Sequence, residues 1–586
     1  MNKLDYLSDG ADYKGLPNDV VEFTMEHQLL KTELWDAFVK VYGIEDDKND
    51  DGWRGEYWGK TMRGACLTYM YDHDEKLYAV LENAVKGLLA KQREDGSFST
   101  YGRDNLFWQW DIWCRKYVLT GMLHFYRICK DEGLKKDIIS AMTAHAHALI
   151  NGVGSEDGKK SITETSTFWG CVNSCSVLEP IIDLYKLTKD EKLLGFAEYI
   201  ISTGGCKDGD LIELAYKNEL KPYEYPEVKA YETISFFEGL LAYYEVTGKE
   251  YYFTAVKNFI ESVNETDITV IGCAGCTHEL FDHSYIRQTD YSEGIMQETC
   301  VTVTWMRMNA RLYMFTGEEK YYSRFEKAAL NALYGAVNTK HEKGLDLGSK
   351  LLCDPMPFDS YSPLYYNRRG RGIGGKKDFS FGGYYGCCAC IASAGVGLVP
   401  LTAVMKTENG VVFSSYINGK VDSDGFSADI NTDFPRSLNT EILIKTDGEF
   451  ELKLRIPMYA KNVSVSVNGI CVNAAQADGY MTVKRAFTAG DTVELKGDFE
   501  LRREELNGRT AYYYGPLTLA ADEAKNNYFT ERELKFTDNF ELCEPENGEM
   551  IRLKMTTQDG EEIIFTDYAS CGKSWNGKKN RITVWM

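Results

Sequence analysis

Val246-Thr247-Gly248-Lys249-Glu250-Tyr251-Tyr252 ends one apolar-periodic helix and opens the next. The same kind of break recurs at Tyr71-Asp72-His73-Asp74-Glu75-Lys76-Leu77, at Leu187-Thr188-Lys189-Asp190-Glu191-Lys192-Leu193 and at Phe315-Thr316-Gly317-Glu318-Glu319-Lys320-Tyr321. Successive breaks lie roughly sixty or more residues apart, the length of a helical hairpin plus a long loop. Hairpins that each bury one face can stack as an open solenoid or close into a ring. The connecting loops are long, irregular and rich in Trp, Tyr and charge, as in Asn105-Leu106-Phe107-Trp108-Gln109-Trp110-Asp111 and Asp359-Ser360-Tyr361-Ser362-Pro363-Leu364-Tyr365-Tyr366. Decorated loops on one side favour a closed (α/α)6 barrel with a site in its mouth, the open solenoid being the alternative.

Around Glu408-Asn409-Gly410 the period changes from helical to alternating. Val411 to Ile417, Phe450 to Ile456, Val463 to Gly469, Thr492 to Leu495 and Thr510 to Leu517 read as strands separated by turn residues. The chain is therefore expected to be mainly α with an all-β C-terminal part: a barrel over 1–405, then one or two β-sandwiches over 406–586 that pack on it.

At 586 residues the chain has ample apolar content for two or more cores. Its formal charge of −22 argues against a nucleic-acid partner. No charged-then-apolar leader stands at Met1-Asn2-Lys3-Leu4-Asp5-Tyr6, and no apolar run is long enough to span a bilayer. A cytoplasmic protein without a membrane partner is expected, with a homodimer left open. Most of the 16 cysteines, Cys66, Cys114, Cys129, Cys171 and Cys175 among them, read as small buried hydrophobes in a reducing compartment. The 39 tyrosines and 10 tryptophans suit stacking on sugar rings, and suit a large core nearly as well.

Gly386-Cys387-Cys388-Ala389-Cys390 crowds three thiols into four positions, which in a reducing compartment points to metal or to chemistry rather than to disulfides. Gln297-Glu298-Thr299-Cys300 opens a helix. Glu298, Cys300, Cys387 and Cys388 together form a plausible tetrahedral Cys3Glu set for Zn2+, and buried cysteines near a helix start are the alternative. Three thiolates and a carboxylate around Zn2+ leave one sulfur electron-rich yet deprotonated at neutral pH, fit to attack an anomeric carbon. Cys273 and Cys276 form a CxxC with no partner pair other than Cys387 and Cys390, and read as loop cysteines. His145 and His147 point to different sides of a helix. Glu279, between His278 and Leu280-Phe281, is expected in surroundings that let it hold a proton near neutrality; a solvated loop glutamate is the alternative.

Glu298-Thr299-Cys300 with Cys387-Cys388, the break Glu245-Val246-Thr247-Gly248, and the pieces Leu454-Arg455-Ile456-Pro457, Val467-Asn468-Gly469, Ala489-Gly490-Asp491-Thr492-Val493 and Tyr514-Gly515-Pro516-Leu517 resemble the DUF1680 proteins, glycoside hydrolase family 127 and its relatives, typified by β-L-arabinofuranosidases. The resemblance implies an (α/α)6 catalytic barrel followed by β-sandwiches, with zinc on Glu298, Cys300, Cys387 and Cys388. It also implies Cys387 as the nucleophile that forms a glycosyl thioether, Glu279 as acid/base, and hydrolysis with retention. Ala389-Cys390-Ile391-Ala392 departs from the family's two prolines and asparagine after the cysteine pair, so Cys390 is a rival for a ligand position.

Trp110-Asp111-Ile112-Trp113-Cys114-Arg115-Lys116 and Val228-Lys229-Ala230-Tyr231-Glu232 stand where typical members carry sugar-binding histidines. These replacements resemble a branch associated with unusual pectic sugars, including acidic pentoses. Arg115, Lys116 or Lys229 would then pair with a sugar carboxylate, unless Asp111 and Glu232 hold them in structural ion pairs. The expected activity is an exo-acting, retaining glycosidase on a terminal β-L-arabinofuranose-like or related pentose of an oligosaccharide or glycoside. Its substrate residues would be Asp111, Arg115, Lys229, Trp110 and Tyr366, with Trp108 also at the mouth. Two other readings stand beside it: a metal-free glycosidase using Glu279 and Glu298 as a carboxylate pair, and a non-catalytic carbohydrate-binding protein with a structural zinc.

Overall fold

A computed structural model of the chain describes residues 3–48, 52–290, 297–339, 351–353, 356–370, 373–379, 381–472, 474–526, 534–573 and 581–586. Each recurrent break is a helix stop followed at once by a helix start. His73, Lys189, Gly248 and Gly317 end their helices in the left-handed conformation, with φ of 55°, 57°, 65° and 72°. At two of the four breaks the side chain of the next residue caps the following helix. Asp74 accepts the N–H of Leu77 at 2.7 Å, and Asp190 that of Lys192 at 3.0 Å.

The hairpins close into a ring. Helix Glu56–Asp72 packs on Asp111–Ile128, which packs on Leu178–Thr188, and the series runs on through Ala230–Thr247, Thr299–Thr316 and Cys387–Ala403. The last of these packs back on Glu56–Asp72. At that closure a Cβ on Gly397 would stand 2.8 Å from the Thr68 amide, so only glycine lets the two backbones meet. Helices Glu75–Leu89, Glu132–Gly152, Glu191–Ser202, Glu250–Thr266 and Glu319–Lys327 each pack outside the inner helix before them. Helix Leu16–Thr24, from the start of the chain, covers the final inner helix. The closed (α/α)6 barrel is thus observed, and the open solenoid is not.

The inner helices are buried on nearly all sides, yet they carry charge. Arg307 bridges Glu238 and Glu179 at 2.8 and 3.0 Å, and Arg311 extends the network to Glu245 at 3.2 Å. No described helix is long and apolar enough to cross a membrane.

After Ala403 the chain turns to strands. A six-stranded sheet built around Val404–Thr407, Gly410–Phe413, Gly448–Arg455 and Tyr480–Phe487 faces a seven-stranded sheet that contains Phe426–Thr432, Ala460–Val467 and Thr492–Phe499. Phe426 packs edge-on between Phe413 and Phe450 of the opposite sheet, at 6.2 and 5.5 Å. A third sheet runs from Leu501–Leu506 to the chain end and curls so that Tyr512 meets Phe536 at 5.7 Å. The N-terminal strands Asp5–Tyr6 and Ala11–Tyr13 pair with Val404–Thr407 and Gly419–Ser423. Strands of two and three residues carry too little alternation to be read from sequence.

Sandwich and barrel are joined by buried polar contacts. Arg455, at 0% exposure, spends all five N–H donors: on Glu319 at 2.7 Å, on both oxygens of Glu326 at 2.8 and 3.0 Å, on the Ser414 carbonyl at 3.1 Å and on Ser323 Oγ at 3.0 Å. Asn331 and Thr518 tie the third sheet to the barrel in the same way. Arg455→Met should destabilise the protein by about 3–5 kcal/mol, because two buried carboxylates lose their partner. Arg455→Lys, with three donors and no planar fork, should recover only part of that. Denaturant unfolding of the three proteins measures both effects, and equal stability of Met variant and wild type would contradict this account.

Candidate active site

Glu298 is the N-cap of the inner helix Thr299–Thr316, with Cys300 in its first turn, and Cys387 and Cys388 are the first two residues of the neighbouring inner helix Cys387–Ala403. Ring closure therefore sets two helix N-termini side by side, where unpaired N–H groups and the helix dipoles favour anions. The start at Glu298 is fixed by a short strand-like pairing with residues 359–362. Thr299 N–H donates to the Ser360 carbonyl at 3.0 Å, Thr299 Oγ1 to the Asp359 carbonyl at 2.7 Å, and Ser362 N–H to the Gln297 carbonyl at 3.0 Å.

One donor atom from each of Glu298, Cys300, Cys387 and Cys388 lies within 4.8 Å of all the others. Cys300 Sγ is 3.4 Å from Cys388 Sγ and 3.7 Å from Cys387 Sγ, the two adjacent sulfurs are 4.0 Å apart, and Cys388 Sγ is 3.5 Å from Glu298 Oε1. Tetrahedral zinc with bonds of about 2.3 Å to sulfur would space its sulfurs by about 3.8 Å, so the group has the size of a metal's coordination shell. Burial pushes Glu298, Cys300 and Cys388 up, and the negative groups crowded around them add to it. Hydrogen bonds from Cys300 and Cys388 hold the Cys387 thiol well below its ordinary value, helped by Lys60 and Lys229. Four acids this close cannot all ionise unless a cation joins them, and the donor set suits a soft-to-borderline divalent ion.

Cys390 does not belong to the group. It is fully buried one turn further along, where it bonds with the Thr61 side chain, and burial pushes its thiol up. Cys273 and Cys276 are also buried: Cys273 Sγ donates to the Glu298 carbonyl at 3.3 Å, and Cys276 Sγ accepts from Gln297 at 3.1 Å. The CxxC braces the backbone behind the cluster.

Of the three clustered thiols only Cys387 is part-exposed, and it opens into a cavity of about 460 Å3. Trp53, Trp110, Trp113, Phe168, Trp169 and Tyr231 give this cavity an aromatic wall; Glu56, Glu232, Glu279, Glu298, Lys60, Lys229 and Lys376 supply charge. Glu279 and Lys229 come together because residues 228–230 pair with 279–281: Ala230 N–H donates to the Glu279 carbonyl at 3.1 Å and Phe281 N–H to the Val228 carbonyl at 2.7 Å. Lys229 Nζ donates to Glu279 Oε2, and Tyr361 OH to Oε1 at 3.0 Å. The Glu279 carboxyl thus faces an ammonium and a phenol rather than the apolar Leu280-Phe281 expected to surround it. The carboxylates of Glu232, Glu279 and Glu298 hold the Lys229 ammonium above its usual range although burial alone would lower it. Glu298 Oε2 and Glu232 Oε2 are buried with no hydrogen-bond partner among the described residues.

The other expected substrate residues divide. Trp110 and Lys229 line the cavity. Asp111 and Arg115 do not: they are 0% and 1% exposed and pair with each other at 2.9 Å, with Ser99 Oγ and the Phe107 N–H completing the Asp111 carboxylate. The sequence shows two charges four residues apart on a helix, and their enclosure inside the protein makes them partners rather than sugar ligands. Tyr366 is also outside the lining, packed edge-on against Tyr365 at 4.4 Å, where Arg509 of the third sheet reaches the Tyr365 hydroxyl. Lys116 is buried against Ser176, and burial lowers it to about 7. Glu56 and Lys60 escaped the sequence reading. They pair at 2.9 Å, Trp113 Nε1 donates to Glu56, Lys60 Nζ stands 4.0 Å from Cys300 Sγ, and burial pushes Glu56 up to about 7. The available signal was an i,i+4 ion pair on a helix with no solvent face.

Residues 13–345 match the model of the beta-L-arabinofuranosidase GH127 catalytic domain, and residues 410–499 that of the GH127 middle domain. No curated protein matches the chain by sequence. Among solved structures, a GH127 beta-arabinofuranosidase superposes with a TM-score of 0.74 at 18% identity, covering 100% of this chain and 98% of its own. A GH127 beta-L-arabinofuranosidase from Geobacillus stearothermophilus T6 gives 0.71 at 16% identity, with 98% and 99% covered. These two share the fold. The catalytic-domain match spans more than half of the sequence, and the chain belongs to glycoside hydrolase family 127.

Proposed function

We propose that this glycoside hydrolase removes a terminal β-L-arabinofuranose-like pentose from a glycan or glycoside with retention, using a zinc-held Cys387 thiolate as nucleophile and Glu279 as acid/base. One observation carries the reading: of the four clustered donors, the part-exposed thiol of Cys387 opens into the cavity that Glu279 also lines. Structural zinc sites are closed on all sides, whereas this one presents a sulfur to a sugar-sized space.

Glu298, Cys300, Cys387 and Cys388 would hold Zn2+, whose positive charge would keep the sulfurs deprotonated. Cys387 Sγ attacks the anomeric carbon, the glycosidic C–O bond breaks, and its electron pair leaves with the aglycone oxygen, which takes the proton of the Glu279 carboxyl. A glycosyl thioether on Cys387 results. Glu279, now a carboxylate, takes a proton from water; the water oxygen bonds to the same carbon, and the C–S pair returns to Cys387. Two inversions give net retention. Lys229 and Tyr361 orient the Glu279 carboxyl, one on each oxygen, and each oxygen keeps a second lone-pair site for the exchanged proton.

The partnerless oxygens of Glu232 and Glu298 favour a substrate that donates hydroxyls. Lys229, the cation expected to meet a sugar carboxylate, is already paired with Glu279, and the charges of Glu232 and Glu298 also act on it. Both features favour a neutral pentose over an acidic one. In the two-carboxylate alternative Glu298 would attack through Oε2, the oxygen without a partner among the described residues. A nucleophilic thiol works only where it stays reduced, which is the reason for placing the enzyme in the cytoplasm.

Cys387→Ala should lower kcat on a β-L-arabinofuranoside by at least about 10³-fold while the protein still folds. Metal analysis of the wild type should give one zinc per chain, lost together with activity in Cys388→Ala. Full activity in zinc-free protein would transfer the reaction to the carboxylate pair. Glu279→Gln should slow a glycoside with a poor leaving group by about 10²–10⁴-fold and an activated aryl glycoside far less, because only the former needs the proton. Equal losses on both substrates would remove Glu279 from that role.

A further inference from the structure

A second cavity, of about 580 Å3, adjoins the catalytic one, and Trp169 lines both. Its other walls are Trp108, Glu164, Lys207, Asp208 and Glu227. The partition between the cavities is built from two loops in unusual conformations. Phe107 and Gln109, on either side of Trp108, both have φ of 55°. Trp169, Gly170 and Cys171 follow one another at 51°, 51° and 67°. Non-glycine residues in this region persist only where their surroundings hold them, and such conformations concentrate at binding and catalytic sites.

What holds them here is Gln109. Its side chain accepts the Thr167 N–H at 2.9 Å and donates to Thr167 Oγ1 at 2.9 Å, and its carbonyl accepts from Asn173 at 3.0 Å. The pinned loops send alternate residues to opposite sides. Trp110 and Phe168, stacked at 5.5 Å, face the catalytic cavity; Trp108 faces the second; Trp169 faces both. Lys160 covers one face of Trp108 at 4.2 Å, and Lys229 covers one face of Trp169 at 5.3 Å.

We propose that the second cavity is the subsite for the leaving sugar, a neutral monosaccharide unit joined to the pentose in the catalytic cavity; this rests on the function proposed above. Aromatic faces beside carboxylates form a usual sugar-binding surface, with the ring's apolar face against tryptophan and its hydroxyls donated to oxygen acceptors. Burial and the adjacent Asp208 push Glu227 up to about 7, so the pair offers a proton donor beside an acceptor. The lining carries Glu164, Asp208 and Glu227 against Lys207, with Lys160 over one face of Trp108, and this balance gives no net positive site for a sugar carboxylate. Gly170 lets the loop lie against the Glu227 side chain, whose Cγ would be 2.8 Å from any added Cβ.

The test compares two substrates with the same β-L-arabinofuranosyl unit, a methyl glycoside and a disaccharide whose leaving group is a second neutral pentose. In the wild type the disaccharide should have the lower KM. Trp108→Ala should reduce the disaccharide-to-methyl ratio of kcat/KM by about tenfold, mainly through KM, as the loss of one stacking face implies. Glu227→Gln is a second variant with an unchanged fold, and should reduce the same ratio. A wild type that cleaves the methyl glycoside but gains nothing from the second sugar, or variants that leave the ratio unchanged, would overturn the subsite alone. A wild type that cleaves neither substrate would overturn the function reading and the subsite with it.

Discussion

Three thiols and a carboxylate whose donor atoms lie within 4.8 Å of one another are the constraint on which the rest depends. Without a cation Glu298, Cys300 and Cys388 are pushed toward their protonated forms; with one the four would become a compact anionic cluster. Their positions follow from the closed ring. Glu298 and Cys300 start one inner helix, Cys387 and Cys388 start the next, and the segment around Asp359 pins the first of these starts. In an open solenoid the two starts would not be enclosed by a common wall.

Charge inside the barrel is sorted into two kinds. Arg307 with Glu179 and Glu238, Arg455 with Glu319 and Glu326, and Asp111 with Arg115 lie away from the cavity and hold elements together. The Arg455 cluster has every donor used; the other two leave Glu179 Oε2, Glu238 Oε1 and both terminal nitrogens of Arg115 without a partner among the described residues. Around the cavity Glu232 and Glu298 each keep an oxygen without a partner among the described residues where a ligand can reach it, and Lys229 serves several carboxylates at once. A buried polar atom without a partner is costly, so its natural use is to meet a ligand that supplies the missing hydrogen bond.

The hairpin breaks were legible because a left-handed stop and an acidic or basic start leave a local signature, as at His73-Asp74 and Gly248-Lys249. The cluster of Glu298, Cys300, Cys387 and Cys388 was legible because thiols in that density have few other uses. The walls of the cavity were not. Trp53, Glu56, Trp113 and Tyr231 lie on or beside helices with no solvent face, so no periodicity distinguishes the side that meets the cavity from the side that meets a neighbour. The same ambiguity made Asp111 and Arg115 look like sugar ligands when they are each other's partners. Tyr366 sits in an aromatic loop whose neighbours Tyr365 and Asn367 meet the third sheet instead of the cavity.

The central claim is that a sulfur, not a carboxylate, forms the bond to the sugar. It is tested most directly by stopping the reaction with acid during turnover of a β-L-arabinofuranoside and mapping the modified peptide by mass spectrometry. The account predicts one pentosyl unit on the peptide that contains Cys387, and no label in protein stripped of zinc. A pentosyl ester on Glu298 or Glu279 with Cys387 unmodified would contradict it.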